Sequence, residues 1–276
     1  MTGKYETILV SKADGVTTVR FNRPHKKNAM NPTLHREMYH VLDELEFDDE
    51  TQVLVLTGEG DAFSAGQDLK EYFDANKDSA RDREEIRRIS HGWRHQKLYN
   101  YAKPTIAMIN GWCFGGAFTV VASADVAIAA DEATFGLSEI NFGSLPAGLV
   151  AKVVSGLMLP RQALYYSMTG EKFDGRRATE LGFTTMSVPR AELEQRTLQI
   201  ADVLKRKDPR ALRATKELFK GVDLRAMSFD DSWHWLNARE RQLTLEQKNK
   251  NWMDQGVAQF MQGNYRPGVE VMPKSE

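Results

Sequence analysis

The apolar positions of this chain change their period along its length. Ile8 to Val10 and Val16 to Phe21 have strand-like patterns with Asp14-Gly15 between them, which predicts two strands joined by a tight turn. Asn22-Arg23-Pro24 ends the second strand, because proline has no N–H to give to a ladder. Leu34, Met38, Val41, Leu42 and Leu45 then recur at helical spacing, and with Pro32 near the start they predict a helix to about Phe47. Val53–Thr57, Thr105–Ile109 and Val126–Ala130 are short apolar runs of strand length, the pattern of strands buried on both faces. Helical patterns lie between them, from Arg83 to Tyr101 and from Gly116 to Ala124. Such an alternation predicts repeated βαβ units and a mainly parallel sheet.

Beyond about Leu157 the pattern becomes mostly helical. It predicts helices over Arg161–Thr169, Arg176–Leu181, Ala191–Lys207, Pro209–Gly221, Ser228–Lys250 and Asp254–Gln262, and an irregular tail over Gly263–Glu276. A boundary between an α/β core and a helical C-terminal part is expected between Pro189 and Pro209, drawn here as residues 1–200 and 201–276.

Composition narrows the function classes. The 276 residues are 41% hydrophobic and 27% charged, with a formal net charge of −1, so nothing suggests a nucleic-acid surface or a polybasic membrane patch. No stretch approaches the length of a membrane span, and the first residues show no apolar signal core. Cys113 is the only cysteine, which excludes an intramolecular disulfide and points to a reducing, cytoplasmic setting. No spacing of Cys, His and acidic residues suits a metal, and no phosphate-binding GxxxxGK[ST] loop is present.

Three segments carry candidate chemistry. Ala65-Gly66-Gln67-Asp68-Leu69 follows the Val53–Thr57 strand, and Gly115-Gly116 follows the Thr105–Ile109 strand. Each reads alone as an ordinary loop. Together, two glycine loops after neighbouring parallel strands can aim two backbone N–H groups at one carbonyl oxygen. Glu139 is a lone acid among Phe135, Leu137, Ile140 and Phe142. An isolated acid is most often a solvated turn residue, but apolar company raises a carboxyl pKa and suits proton transfer near neutrality.

Several motifs occur in order along nearly the whole chain: Asn22-Arg23-Pro24 with Asn28-Ala29, Ala65-Gly66-Gln67-Asp68-Leu69, Lys103-Pro104-Thr105, Asn110-Gly111, Gly115-Gly116, Ala124-Asp125 and Ala133-Thr134-Phe135-Gly136 with Glu139. In this order they resemble the crotonase (enoyl-CoA hydratase/isomerase) superfamily. The resemblance implies a ββα spiral core with a C-terminal helical part that covers the site and joins subunits into a homotrimer or a dimer of trimers. It implies an acyl-CoA thioester substrate, with coenzyme A entering as part of that substrate and no separate cofactor. It also implies oxyanion-hole donors at the backbone N–H groups of Gln67 and Gly116, and active-site acid positions at Thr119 and Glu139. Typical hydratases have glutamate at both; here one is threonine.

Asp68-Leu69-Lys70-Glu71-Tyr72-Phe73, Asn110-Gly111-Trp112-Cys113-Phe114 and Leu137-Ser138-Glu139-Ile140-Asn141 are similar to the hydroxycinnamoyl-CoA hydratase-lyases. Members of that subfamily hydrate feruloyl-, caffeoyl- or p-coumaroyl-CoA and cleave the product to an aromatic aldehyde and acetyl-CoA. The likeness implies that Tyr72 holds the ring hydroxyl and that Trp235 stands where the subfamily has a second tyrosine. Coenzyme A would lie near Arg23, Lys26, Ala65, Asp68 and Leu69. The competing readings are a hydratase or isomerase acting on another acyl-CoA without carbon–carbon cleavage, and a non-catalytic acyl-CoA- or RNA-binding protein on the same fold.

Overall fold

The structure is a computed structural model. It describes residues 5–74, 79–147, 149–225, 229–247 and residue 262. The expected helix over Asp254–Gln262 and the tail lie outside this set, residue 262 apart.

The chain opens with the antiparallel pair β1 (Ile8–Ala13) and β2 (Val16–Phe21), turned at Asp14-Gly15. Helix α1 (Pro32–Glu46) follows, with the Asn31 side chain accepting the amide of Leu34 at 2.9 Å as its N-cap. All five apolar residues expected on its inner face are buried, and so is His35. From there the chain repeats one unit. Strand β3 (Val53–Gly58) turns into β4 (Ala62–Ser64) and leads to α2 (Ala80–His91). Next, β5 (Thr105–Ile109) turns into β6 (Trp112–Phe114) and α3 (Ala117–Ser123). Finally β7 (Val126–Ala130) turns into β8 (Thr134–Gly136) and α4 (Val150–Leu157).

The long strand of each unit joins one sheet and the short strand joins another. With α5 (Pro160–Thr169), β9 (Lys172–Asp174), α6 (Gly175–Glu180) and β10 (Met186–Val188) added, the large sheet has the order β1-β2-β3-β5-β7-β10 and the small one β4-β6-β8-β9. Within the small sheet β4, β6 and β8 are parallel. This is the expected ββα spiral. β9 and β10 are two short strands in the gaps between the helices expected in this mostly helical region.

The core lies on the large sheet, where β3 and β5 are buried along their whole length. α7 (Leu193–Lys205), which contains residue 200, packs against β3, β5 and β7. After it come α8 (Pro209–Arg225) and α9 (Phe229–Gln247), which pack on each other. No helix among the described residues is long and apolar enough to cross a membrane, and among those residues no cluster of His, Cys, Asp and Glu suits a metal.

Helix α8 is docked on the core by charge. Lys216 and Lys220 each reach a carboxylate oxygen of Asp125 at 2.7 Å, and that carboxylate also accepts the backbone N–H and hydroxyl of Thr105 at 2.8 and 2.9 Å. Lys220 further donates to the carbonyls of Tyr99 and Ser123. Removing the acid leaves two ammonium groups enclosed without a counter-charge. Asp125→Ala is expected to lose about 3–5 kcal/mol in urea unfolding.

Candidate active site

Parallel pairing of β4, β6 and β8 brings the ends of three strands side by side. Gly66-Gln67 lies just past β4, Gly115-Gly116 just past β6, and Glu139 just past β8, on a helical turn over Ser138–Phe142. The loops touch because glycine allows it. Gly66 has φ +89°, and a Cβ placed there would come 2.6 Å from the Phe114 carbonyl oxygen and 3.2 Å from the Gly116 nitrogen. Gly115, at φ +50°, leaves room for the Glu139 carboxylate, whose Oε1 would lie 3.0 Å from a Cβ there. Gly116 lies against the Gln67 side chain, with Cγ 3.4 Å from a Cβ built on the glycine.

Neighbouring amides are spent while these two are not. Met30 N–H donates to the Gly66 carbonyl at 2.7 Å, Asp68 N–H to the Met30 carbonyl at 3.0 Å, and Gly115 N–H to the Gly136 carbonyl at 3.1 Å. The N–H groups of Gln67 and Gly116 have no acceptor among the described residues. Such a pair suits an oxygen that gains negative charge during a reaction.

Glu139 is partly buried, and its Oε2 is enclosed without a hydrogen-bond partner among the described residues. Burial raises its pKa above the usual glutamate range, opposed only by its own backbone amide. The site thus places a carboxylate with one unpartnered oxygen, among the described residues, beside two unspent amides, which equips it for proton transfer next to a stabilised oxyanion.

The other expected residues divide. Tyr72 sits on a π-helical turn over Leu69–Asp74, with its ring edge-on to His35 at 5.4 Å between centroids. Asp68 caps that turn, its Oδ1 accepting the amides of Lys70 and Glu71. Burial alone would raise the Asp68 pKa; the Glu71 amide and the Arg23 guanidinium outweigh it and hold this carboxyl below the usual range. Arg23 is buried and turned inward, reaching Asp68 at 3.0 Å, Glu71 at 2.6 Å and the Ala29 carbonyl at 2.5 Å. It braces the loop, whereas Lys26 and Leu69 are exposed. The amide of Ala65 donates to the Lys27 carbonyl at 2.8 Å, tying the first loop to the segment after Arg23.

Thr119 is buried, and its hydroxyl is engaged on both sides. It donates to the Gly116 carbonyl at 2.7 Å and accepts from Arg94 at 3.0 Å. Trp235 is not brought to this group within the chain. Its indole lies over Gly221 of α8, in a cavity of about 350 Å³ lined also by Tyr99, Lys216, Lys220 and Arg239.

The sequence reading missed the polar layer behind the glycine loops, formed by His35, Ser90 and Arg94. The Trp93 indole N–H donates to His35 Nδ1 at 2.9 Å, so the ring proton lies on Nε2, which donates to the Gln67 amide oxygen at 2.8 Å. The opposite amide orientation would set an amide N–H against that ring N–H, while bringing the amide oxygen to Arg94 at 3.3 Å and the amide nitrogen to the Met30 carbonyl at 3.2 Å. Burial and the nearby Arg94 charge pull the His35 pKa down to about 3, so the ring stays neutral. Arg94 sits on a second π-helical turn, Gly92–Lys97, which extends α2. A wide turn shifts the phase of side chains and hides such a residue from a 3.6-residue pattern. The one signal in the sequence was a basic residue directly after Trp93 in an otherwise amphipathic stretch.

Comparison with known proteins agrees with this architecture. The family model described as enoyl-CoA hydratase/isomerase matches residues 11–261. A hydroxycinnamoyl-CoA hydratase-lyase of Pseudomonas fluorescens is 46% identical over 273 residues, spanning 98% of this chain and 97% of that protein. Among solved structures, an enoyl-CoA hydratase of Geobacillus kaustophilus superposes with a TM-score of 0.84 at 25% identity, covering 95% of this chain and 98% of its own. AtuE of Pseudomonas aeruginosa superposes with a TM-score of 0.82 at 30% identity, covering 94% and 97%. The chain belongs to the enoyl-CoA hydratase/isomerase family.

Two expectations follow from the geometry. Gly66→Ala should cost about 1–3 kcal/mol from backbone strain alone and separate the two loops, so it should lower both Tm and turnover. Glu139 has a higher pKa folded than unfolded, so the folded state holds its proton more tightly. Stability from this group is present at low pH and is lost as pH rises through the folded pKa. Glu139→Gln should therefore melt above the wild type at pH 8, the gap closing as pH falls toward the ordinary glutamate pKa of about 4.3. Calorimetry across that range checks it.

Proposed function

We propose that this protein hydrates the double bond of a hydroxycinnamoyl-CoA thioester, of the feruloyl-, caffeoyl- or p-coumaroyl-CoA type, and then cleaves the adduct to an aromatic aldehyde and acetyl-CoA. The observation that carries the reading is the Glu139 carboxylate, whose Oε2 has no hydrogen-bond partner among the described residues, beside the amides of Gln67 and Gly116, which have no acceptor among them. The full-length likeness to a hydroxycinnamoyl-CoA hydratase-lyase supports the choice of substrate.

One acid and one oxyanion hole serve both steps. Water adds to the β-carbon as Glu139 takes its proton, and the electron pair of the double bond moves onto the thioester oxygen as an enolate. The Gln67 and Gly116 amides stabilise that oxygen. Glu139 returns the proton to the α-carbon, giving a β-hydroxy thioester. In the second step Glu139 takes the β-hydroxyl proton, the bond between the α- and β-carbons breaks, and the electron pair again becomes a thioester enolate in the same hole. Protonation of that enolate gives acetyl-CoA, and the β-carbon leaves as the aldehyde. Each step regenerates the state the next one needs, so no second acid is required. Thr119, with both hydroxyl contacts spent, suits a supporting role.

A para-hydroxyl on the ring donates electrons toward the β-carbon, which favours the cleavage that leaves that carbon as an aldehyde, and Tyr72 is the residue we assign to it. Lys26 is assigned to the coenzyme A end, and no separate cofactor enters these steps. Exposed Phe142, Leu145, Leu159, Leu164 and Met168 support assembly as a homotrimer or a dimer of trimers. In such an assembly α8 and α9 cover the site and join the subunits. The single cysteine supports a cytoplasmic setting.

Incubation with feruloyl-CoA tests the reading. Vanillin and acetyl-CoA in equal amounts are expected, with Glu139→Gln at least about a thousand-fold slower. A β-hydroxy thioester that accumulates without aldehyde would reduce the activity to hydration.

A further inference from the structure

Arg94 is the buried charge that the mechanism above leaves unused. The residue is 8% exposed. Its Nε donates to the Ser90 carbonyl at 3.0 Å and one terminal nitrogen to the Ser90 hydroxyl at 2.7 Å; the other terminal nitrogen donates to the Gly116 carbonyl at 3.2 Å and to Thr119 at 3.0 Å. That last nitrogen would lie 3.3 Å from a Cβ on Gly116. Every one of these acceptors is neutral. Among the described residues no carboxylate pairs with Arg94, whereas the buried Arg23 has Asp68 and Glu71, and Lys216 and Lys220 share Asp125.

An enclosed cation without a counter-ion is costly, and a fold that needed only hydrogen bonds here could use a neutral side chain. Burial draws the guanidinium pKa down to about 10, which still leaves it charged at neutral pH. The charge sits behind Gly115-Gly116, with Glu139 against the same glycine pair through Gly115. An anion forming on an oxygen held by the Gly116 N–H therefore develops close to an uncompensated positive charge in a poorly hydrated interior, where such attraction is strong. The neutral thioester of the ground state gains far less. A carboxylate at position 119 would stand where the Thr119 hydroxyl meets Arg94 and neutralise it; threonine leaves the charge in place.

Resting on the enolate chemistry proposed above, we infer that Arg94 is a positioning residue for the oxyanion hole: it fixes the Gly116 peptide through its carbonyl and lends its charge to the enolate oxygen held there.

The test compares Arg94→Gln and Arg94→Lys with the wild type on feruloyl-CoA. Arg94→Gln should lower kcat about ten- to a hundred-fold with KM changed by less than about three-fold, and Arg94→Lys should recover most of that loss. A second readout is the absorption band of feruloyl-CoA bound to Glu139→Gln, which moves to longer wavelength as its carbonyl is polarised. Adding Arg94→Gln should reduce that red shift. A purely structural role would change Tm and KM and leave the band in place. An unchanged band, or a kcat within about three-fold of wild type, overturns the inference. If Arg94→Gln does not fold, Arg94→Met, closer to the apolar stem in volume, is read by the same two criteria. If the wild type ignores feruloyl-CoA but hydrates crotonyl-CoA, the proposed substrate fails, and the kcat comparison on crotonyl-CoA decides the role of Arg94 by itself. No turnover of either thioester overturns both.

Discussion

Three parallel strand ends held at one ladder spacing govern the chemistry of this fold. Strands β4, β6 and β8 are only three residues each, so the small sheet does little more than set the distance between the loops that leave it. Adjacent parallel strands lie roughly 4.8 Å apart, too close for two ordinary loops to fold back over each other. The absent side chain of Gly66 resolves the conflict, allowing the Phe114 carbonyl and the Gly116 amide to close on it. The amide pair and the position of Glu139 follow from that approach. The large sheet supplies the rigidity: β3, β5 and β7 anchor the other end of each unit in a core with little freedom to relax.

Much of this was visible in the sequence because the long strands are buried on both faces. Val53–Thr57, Thr105–Ile109 and Val126–Ala130 could be placed from uninterrupted apolar character, and α1 from its stripe. The short strands could not, since three residues carry no period and their partners lie tens of residues away. The same holds for β9 and β10, set among helices. At the site, Gly66, Gly115-Gly116 and Glu139 stand out by residue type, because glycine pairs and an acid in apolar company are unusual. His35 and Arg94 do not. His35 shares a helical face with leucines, and Arg94 lies on a π-helical turn where the phase has slipped. Trp235 was placed from residue type and an approximate register, and within one chain the packing of α8 against α9 sets it beside Gly221.

The polar groups around the glycine pair are oppositely charged and kept apart. Among the described residues Glu139 is a carboxylate without a hydrogen-bond partner on one oxygen and Arg94 a guanidinium without an acid, and the Gly115-Gly116 backbone lies between them. Direct contact would let each satisfy the other and stabilise the fold. Separation holds both in a state that costs stability and leaves their charges available. The neutral layer of Trp93, His35 and Gln67 adds direction without charge, since the indole fixes the imidazole tautomer and the imidazole fixes the amide.

The π-helical turn that carries Tyr72 is fastened to a different part of the molecule from the acid. Its staples are Asp68, Arg23 and Glu71, with Asn31 at the head of α1 donating to Glu71 at 2.7 Å. Glu139 belongs to the segment after β8 and shares none of these contacts. The turn and the acid are therefore fastened separately, and the link between the turn and the glycine loops runs through His35, which meets both Tyr72 and Gln67. On the function proposed above, substitutions along the 69–74 turn would retune which acyl group is admitted while Glu139 kept its role. A scaffold divided in this way lends itself to divergence, in nature or in the laboratory, by changing the guest and leaving the reaction alone.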